Sequence, residues 1–230
     1  MATAAHSLEA DGPMDHGHAG HPPTSTGLDH KKVAVWVFIA SECMLFASLI
    51  STYLIYKGRS RVGPWPHATV NAAGQNVPGI LDIPVTTAST FVLLMSSLAM
   101  VLALNAVLNK EKPVQPGLWN RMAASSKLWL GMTAALGIAF LMFQAYEFTA
   151  FVHEGLTIRT NLFGASFFTL TGFHGVHVTV GVLWLLTLLA IDFKRGLGPR
   201  DAINVDIAAL YWHFVDVVWI AIFTLIYLIP

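Results

Sequence analysis

Residues 169–182 read TLTGFHGVHVTVGV, and the reading of this stretch decides the fold. It lies inside a longer run, residues 160–191, that contains no Asp, Glu, Lys or Arg. A helix rises ~1.5 Å per residue, so ~20 apolar residues cross the ~30 Å of hydrocarbon in a bilayer. Lipid offers no partner to a free backbone N–H or C=O, and a helix satisfies those groups within the segment itself. Residues 163–191 are therefore predicted to span a membrane as a helix. Two histidines, His174 and His177, stand inside it. Each needs a partner there, either a metal or cofactor, or a polar group on a neighbouring helix.

The rest of the chain repeats the pattern. Hydrophobic residues make up 55% of the 230 and charged residues 11%, with a mean hydropathy of +0.60. The thirteen Lys and Arg fall in the gaps between long apolar runs. Five runs are long enough to cross: about 33–56, 83–109, 128–151, 163–191 and 206–229. The predicted fold is all-α, a polytopic membrane protein of five transmembrane helices in one domain, residues 33–230. Residues 1–32 carry five of the ten histidines among Gly, Pro and Asp without periodicity, which reads as a disordered cytoplasmic tail. A solvated linker and a loose metal-binding segment are both open to it. This tail lacks the basic start and short apolar core of a secretion signal. With the single Cys43, neither a disulfide nor a cysteine metal site can form within the chain.

Five spans put the two ends on opposite sides. With the N-terminus inside, that side holds Lys31, Lys32, Lys110, Lys112, Arg121, Lys127, Lys194, Arg195 and Arg200. The other side holds Lys57, Arg59, Arg61 and Arg159, so the cation bias predicts N-inside and C-outside. The balanced net charge and the absence of a phosphate-cradling glycine loop give no sign of nucleic-acid or nucleotide binding. No internal repeat appears, which argues against a transporter built from two halves.

Six ionisable residues are left at membrane depth: Glu42, Glu147, His174, His177, His213 and Asp216. Counting ~1.5 Å per residue places Glu42 roughly 14 Å in, and His213 and Asp216 roughly 11 and 15 Å in. Glu147 falls near the outer face, where the choice lies between an interfacial hydrogen bonder and a proton relay. His174 and His177, three apart, share a face, as do His213 and Asp216. Gly164, Gly172, Gly175 and Thr179 form a small-residue stripe on which another helix could pack closely. Three deep histidines and two carboxylates could build a carboxylate–histidine metal site, and His174 with His213 could serve as a haem pair. The alternative is hydrogen bonding between helices, for instance from His213 or Asp216 to span 4 or span 1. For Glu42 the choice lies between a buried, neutral carboxyl beside Ser41, Ser48 and Thr52 and an acid that handles protons or meets lipid headgroups. Trp129, Trp184 and Trp219 are predicted as interfacial or packing aromatics.

Several of these stretches carry a resemblance. FGASFFTLTGFHGVHV (163–178) followed by LYWHFVDVVWIAIFTLIYL (210–228) resembles the last two helices of subunit III of the haem–copper terminal oxidases. SECMLF (41–46) and QAYEF (144–148) match two further motifs of that family, in order, and the likeness covers about residues 33–227. It is most similar to the short, five-helix bacterial form of the cytochrome c oxidase subunit 3 family. The resemblance implies a chain without a cofactor or catalytic centre of its own, with haems and copper held by partner subunits I and II. It makes Glu147, His174, His177, His213 and Asp216 structural hydrogen bonders and Glu42 the buried acid linked to proton uptake. It also implies bound phospholipids in a cleft between the first span and the others, and a bacterial plasma membrane as the location. Subunit IV and a respiratory supercomplex stay open as further partners. The donor is expected to be cytochrome c, with a quinol oxidase of the same superfamily as the alternative. A membrane di-metal or haem enzyme is the alternative from another class.

Overall fold

In a computed structural model of the chain, residues 29–60, 63–70, 75–77, 79–111, 113 and 116–229 are described. The histidine-rich segment 1–28, together with Arg61 and Lys112 from the cation count, lies outside the described residues. Five long helices have the length and apolar character to cross a membrane. They are α1 (His30–Tyr56), α2 (Ile83–Leu108), α4 (Ser126–His153), α5 (Leu162–Arg195) and α6 (Ala202–Phe223). A short α3 (Leu118–Ala123) precedes α4, and a π-helical turn (Thr224–Leu228) extends α6. Among the described residues there is also an extended pairing: Thr69–Val70 and Asn76–Val77 pair antiparallel as two-residue strands, β1 and β2, in the loop after α1. So short a pairing, in a segment rich in Gly, Pro and Asn, has no hydropathy signature.

Local chemistry sets the helix ends. Asp29, Asp82, Ser125 and Asn161 each accept a backbone N–H with the side chain at the start of α1, α2, α4 and α5. Each cap satisfies one of the N–H groups that a first turn leaves open. Gly196, at φ 74°, ends α5 in the left-handed region that suits glycine. The helix α1 is already wound at Lys31 and Lys32, because Asp29 caps it before the apolar run begins.

The five spans are not equivalent. In α6, fourteen of 22 residues are buried, whereas α1 buries only Phe46 and Tyr53 among its 27. Thus α6 forms the axis, with α2 and α5 packed on it and α4 between them, while α1 rests on the outside against α5 and α6. Trp212 of α6 is fully buried, and its indole N–H donates to Ser96 of α2 at 2.9 Å. Trp219, two turns on, donates to Thr90 of α2 at 2.9 Å. Its ring also packs 4.8 Å from both Phe140 of α4 and His174 of α5. It is therefore a core residue. Many large apolar side chains point outward instead, among them Trp36, Met44, Phe91, Met142 and Val217. With apolar groups outside and Ser, Thr and Trp hydrogen bonds inside, the bundle suits a solvent that is itself apolar.

Each end of the bundle is tied by charge. At the end where α1 starts, Lys32 pairs with Asp206 at 2.6 Å. There the fully buried Asp192 accepts from Ser126 Oγ at 2.6 Å and from the Leu197 N–H at 2.8 Å. Lys110 approaches the same carboxylate and also donates to the Leu197 carbonyl. At the opposite end, Lys57 donates to the Ile229 carbonyl at 2.7 Å, and the His67 ring lies 3.0 Å from the Ile226 carbonyl. The loop after α1 thus folds back over the end of α6. Lys57 itself sits just past α1, and partial burial pulls its ammonium below its ordinary range.

Candidate functional site

The seam between α1 and α5 brings together two of the predicted residues from helices far apart in sequence. Glu42 Oε2 lies 3.0 Å from His177 Nε2, with both side chains mostly covered, at 17% and 14% exposure. His177 Nδ1 lies 2.7 Å from the Phe173 carbonyl one turn back. A carbonyl oxygen only accepts, so Nδ1 carries a hydrogen. A single proton then remains between Nε2 and the Glu42 carboxyl. Either the neutral acid donates to a neutral ring, or an imidazolium donates to a carboxylate. Both arrangements are neutral overall, and a neutral pair is what an apolar surround tolerates. Phe46 closes one side of the pair, its ring edge-on 5.0 Å from the imidazole. Tyr211 of α6 donates to the His177 carbonyl at 3.1 Å and fixes the seam from behind.

Above and below this contact α1 parts from α5. A groove of about 260 Å³ lies towards the Tyr56 end, lined by Leu49, Thr52, Tyr56, Leu162 and Ala165 among others. A second, of about 500 Å³, lies towards the Lys31 end, beside Val35, Trp184, Ile191 and Asn204. The first span was expected to stand across a cleft from the others. Instead the two sides touch at mid-height through Glu42, Phe46 and His177 and open towards both ends.

Other expected neighbours of Glu42 do not serve it. Ser41, Ser48 and Thr52 return their hydroxyls to the α1 backbone, at 2.7, 2.7 and 2.9 Å. This is the usual recourse of a helical Ser or Thr with no better acceptor in reach. His174 and His177 share the α5 surface but diverge across it. His174 is fully buried against α6, with Nε2 3.2 Å from the Val215 carbonyl, while His177 turns to α1. A three-residue step turns the helix by ~300°, enough to send the two rings to different neighbours. The glycine stripe divides in the same way. Gly172 faces open space and Thr179 is exposed, whereas Gly175 abuts Gln144 and Gly164 abuts the Thr157 carbonyl.

His213 and Asp216 do share a partner, but it lies on α2 and not on span 4 or span 1. The Ser97 hydroxyl oxygen is hydrogen-bonded to Asp216 Oδ2 and also lies 2.8 Å from His213 Nδ1. Glu147, expected at the interface, is covered between α2 and α4, 2.6 Å from the Thr86 hydroxyl. Thr86 is also 3.0 Å from the Asp82 carbonyl. One hydroxyl proton cannot serve both acceptors. A neutral Glu147 donating to Thr86, which donates to Asp82, satisfies all three groups. Ser97 and Thr86 do not stand out in the sequence because small hydroxyl side chains within a span barely change its hydropathy. Their spacing from Thr90, four residues after Thr86 and seven before Ser97, does mark one helical face of α2.

The rings of His174, His177 and His213 are thus turned to a carbonyl, a carboxyl and a hydroxyl on three different helices. Among the described residues no three of His, Cys, Asp or Glu converge as a metal site requires. What the arrangement can do is hold helices in register and keep protons on short hydrogen-bonded chains.

Comparison with known proteins bears on the whole bundle. Residues 15–229 match the family described as cytochrome c oxidase subunit III. Cytochrome c oxidase subunit 3 of Bacillus sp. (strain PS3) is 39% identical over 199 residues, 86% of this chain and 86% of that protein. Its counterpart in Synechocystis sp. is 37% identical over 215 residues, 93% of this chain and 79% of the relative. Quinol oxidase subunit 3 of Bacillus subtilis is 31% identical over 218 residues, 92% and 96% of the two chains. A match across nearly all of the membrane bundle, in a chain whose five spans fold as one unit, places this protein in the cytochrome c oxidase subunit III family.

Proposed function

We propose that this chain is the accessory, cofactor-free subunit III of a proton-pumping aerobic terminal oxidase that reduces oxygen to water with electrons from cytochrome c. It sits in a bacterial plasma membrane with its N-terminus inside and its C-terminus outside, the orientation favoured by nine cations against four. Its role is to stabilise subunit I, to hold phospholipids along its apolar flanks, and to support proton uptake. Subunits I and II carry the haems and copper. The observation that carries this reading is the Glu42–His177 pair. It is a proton-holding contact at mid-membrane, on a mostly covered seam that opens into grooves towards both ends, and among the described residues it has no metal-ligating company.

Cytochrome c is preferred as donor because relatives named for it reach 37–39% identity. The competing reading, a quinol oxidase, draws on relatives so named. One is the cytochrome bo(3) ubiquinol oxidase subunit 3 of Pseudomonas aeruginosa, 33% identical over 97% of this chain. The purified complex should oxidise reduced cytochrome c several-fold faster than a quinol; dominant quinol oxidation reverses the choice of donor. Stripping this chain from the complex should leave the iron and copper content unchanged. Metal lost with the chain would favour a metalloenzyme.

A further inference from the structure

On the face of the bundle formed by α2 and α6, away from Glu42, Ser97 joins His213 to Asp216. Asp216 is 3% exposed, and its second oxygen, Oδ1, is buried with no hydrogen-bond donor. An ionised carboxylate offers about four acceptor sites, and here one hydroxyl serves them all. Among the described residues no Lys or Arg pairs with it. α2 contributes no charged side chain between its cap Asp82 and Lys110. The titratable groups on the other packed helices are engaged elsewhere. Glu147 of α4 is on Thr86, His174 of α5 is on the Val215 carbonyl, and His177 is on Glu42 of α1. Among the described residues, His213 is the titratable group that shares the Ser97 hydroxyl with Asp216.

One arrangement of hydrogens leaves no charge and no wasted donor. Asp216 Oδ2–H donates to Ser97 Oγ, and Ser97 Oγ–H donates to His213 Nδ1. The ring hydrogen is then on Nε2, and His213 is only partly covered on a flank where Leu98, Val101, Val217 and Ile220 are exposed. We propose that Ser97, His213 and Asp216 form a second proton-holding site, storing one proton on Asp216 and exchanging it through His213 Nε2. For release, the Nε2–H bond breaks to a hydrogen-bond acceptor, a water or a polar side chain brought by a partner subunit against the flank, while the Ser97 proton passes to Nδ1 and the Asp216 proton passes to Ser97. The products are a neutral ring with its hydrogen on Nδ1, an intact hydroxyl, and a carboxylate. Uptake reverses each step, and no redox partner is involved.

Infrared difference spectroscopy of the intact complex tests this. The proposal expects a protonated-carboxyl C=O band that shifts in D2O and is lost in Asp216→Asn. In Ser97→Ala the same band should move, because its hydrogen-bond acceptor is gone, and its exchange with D2O should slow several-fold. If Asp216→Asn does not assemble, the Ser97→Ala shift and slowed exchange decide alone. Loss of carboxylate bands in place of an acid band in Asp216→Asn overturns the proposal. So does an acid band whose position and exchange rate Ser97→Ala leaves unchanged. Neither outcome bears on the choice of electron donor or on Glu42.

Discussion

A valine at position 137 should leave the purified complex with little or none of this chain. Gly137 of α4 faces the Trp212 indole, and a Cβ there would lie 2.7 Å from the ring and 2.8 Å from Val182. On the other side Gly181 of α5 meets the same ring, where a Cβ would stand 2.8 Å away. The indole is thus clamped between two helix backbones that come close only because neither carries a side chain. It cannot slide aside, because its N–H is spent on Ser96, itself fully buried. Displacing it combines overpacking, about 1–3 kcal/mol, with a buried N–H left unpaired, about 1–3 kcal/mol more. In lipid no water is released when helices meet, so close packing and hydrogen bonds are what hold them together. The loss therefore falls on the main source of association energy. Gly172→Ala is the control, since that position faces open space and a helical alanine gains roughly 0.5–1 kcal/mol over glycine. The check is the content of this chain in the purified complex, with thermal unfolding of whatever remains. Full retention of a Gly137→Val chain would contradict the clamp.

The Trp212 clamp also shows where the sequence stopped being legible. Hydropathy and length give the five spans because the bilayer's thickness acts on every segment alike, whereas the caps Asp29 and Asn161, which set where α1 and α5 begin, emerge from the structure. Which side of a helix meets which neighbour depends on rotation about its axis, and that is settled by partners distant in sequence. The stripe from Gly164 to Thr179 looked uniform in the sequence, yet its members face a carbonyl, open space and a glutamine in turn. The close approaches at Gly137 and Gly181 depend on a tryptophan tens of residues away. The ionisable residues were recognisable because charge in an apolar run stands out against its surroundings. Their partners Ser97 and Thr86 do not stand out, so the α2 contacts became visible only in three dimensions. Asp192 was missed for another reason. It lies just past the predicted end of the fourth span, where an acid looks solvated, and it proves to be fully buried beneath the Ser126 and Lys110 side chains.

Glu42→Gln should yield a complex that assembles with its absorption spectrum intact but stops working several-fold sooner during sustained turnover. His177 Nδ1–H is committed to the Phe173 carbonyl, so Nε2 and Glu42 Oε2, 3.0 Å apart, share one proton. A glutamine in that place can still donate an amide N–H to Nε2. The seam stays closed and neutral, and Phe46 keeps its edge contact with the ring. An amide hydrogen does not transfer, however, so the pair loses its capacity to take up or release a proton while keeping its shape. Glu42→Ala removes the shape as well. It leaves Nε2 without a partner on a mostly covered seam, a loss of about 1–3 kcal/mol, and it should loosen α1, which buries only Phe46 and Tyr53 to hold itself in place. Comparing the two variants separates the functions. Shortened life in both, with unfolding temperature lowered only in the alanine variant, assigns the proton itself to turnover. Shortened life in the alanine variant alone makes Glu42 a helix clamp, and an unchanged working life in both removes it from turnover altogether. The pair sits where α1, the least buried helix, meets the rest of the bundle. Proton exchange and helix docking are therefore coupled at one contact, and a variant that conserves the hydrogen bond is the one that can part them.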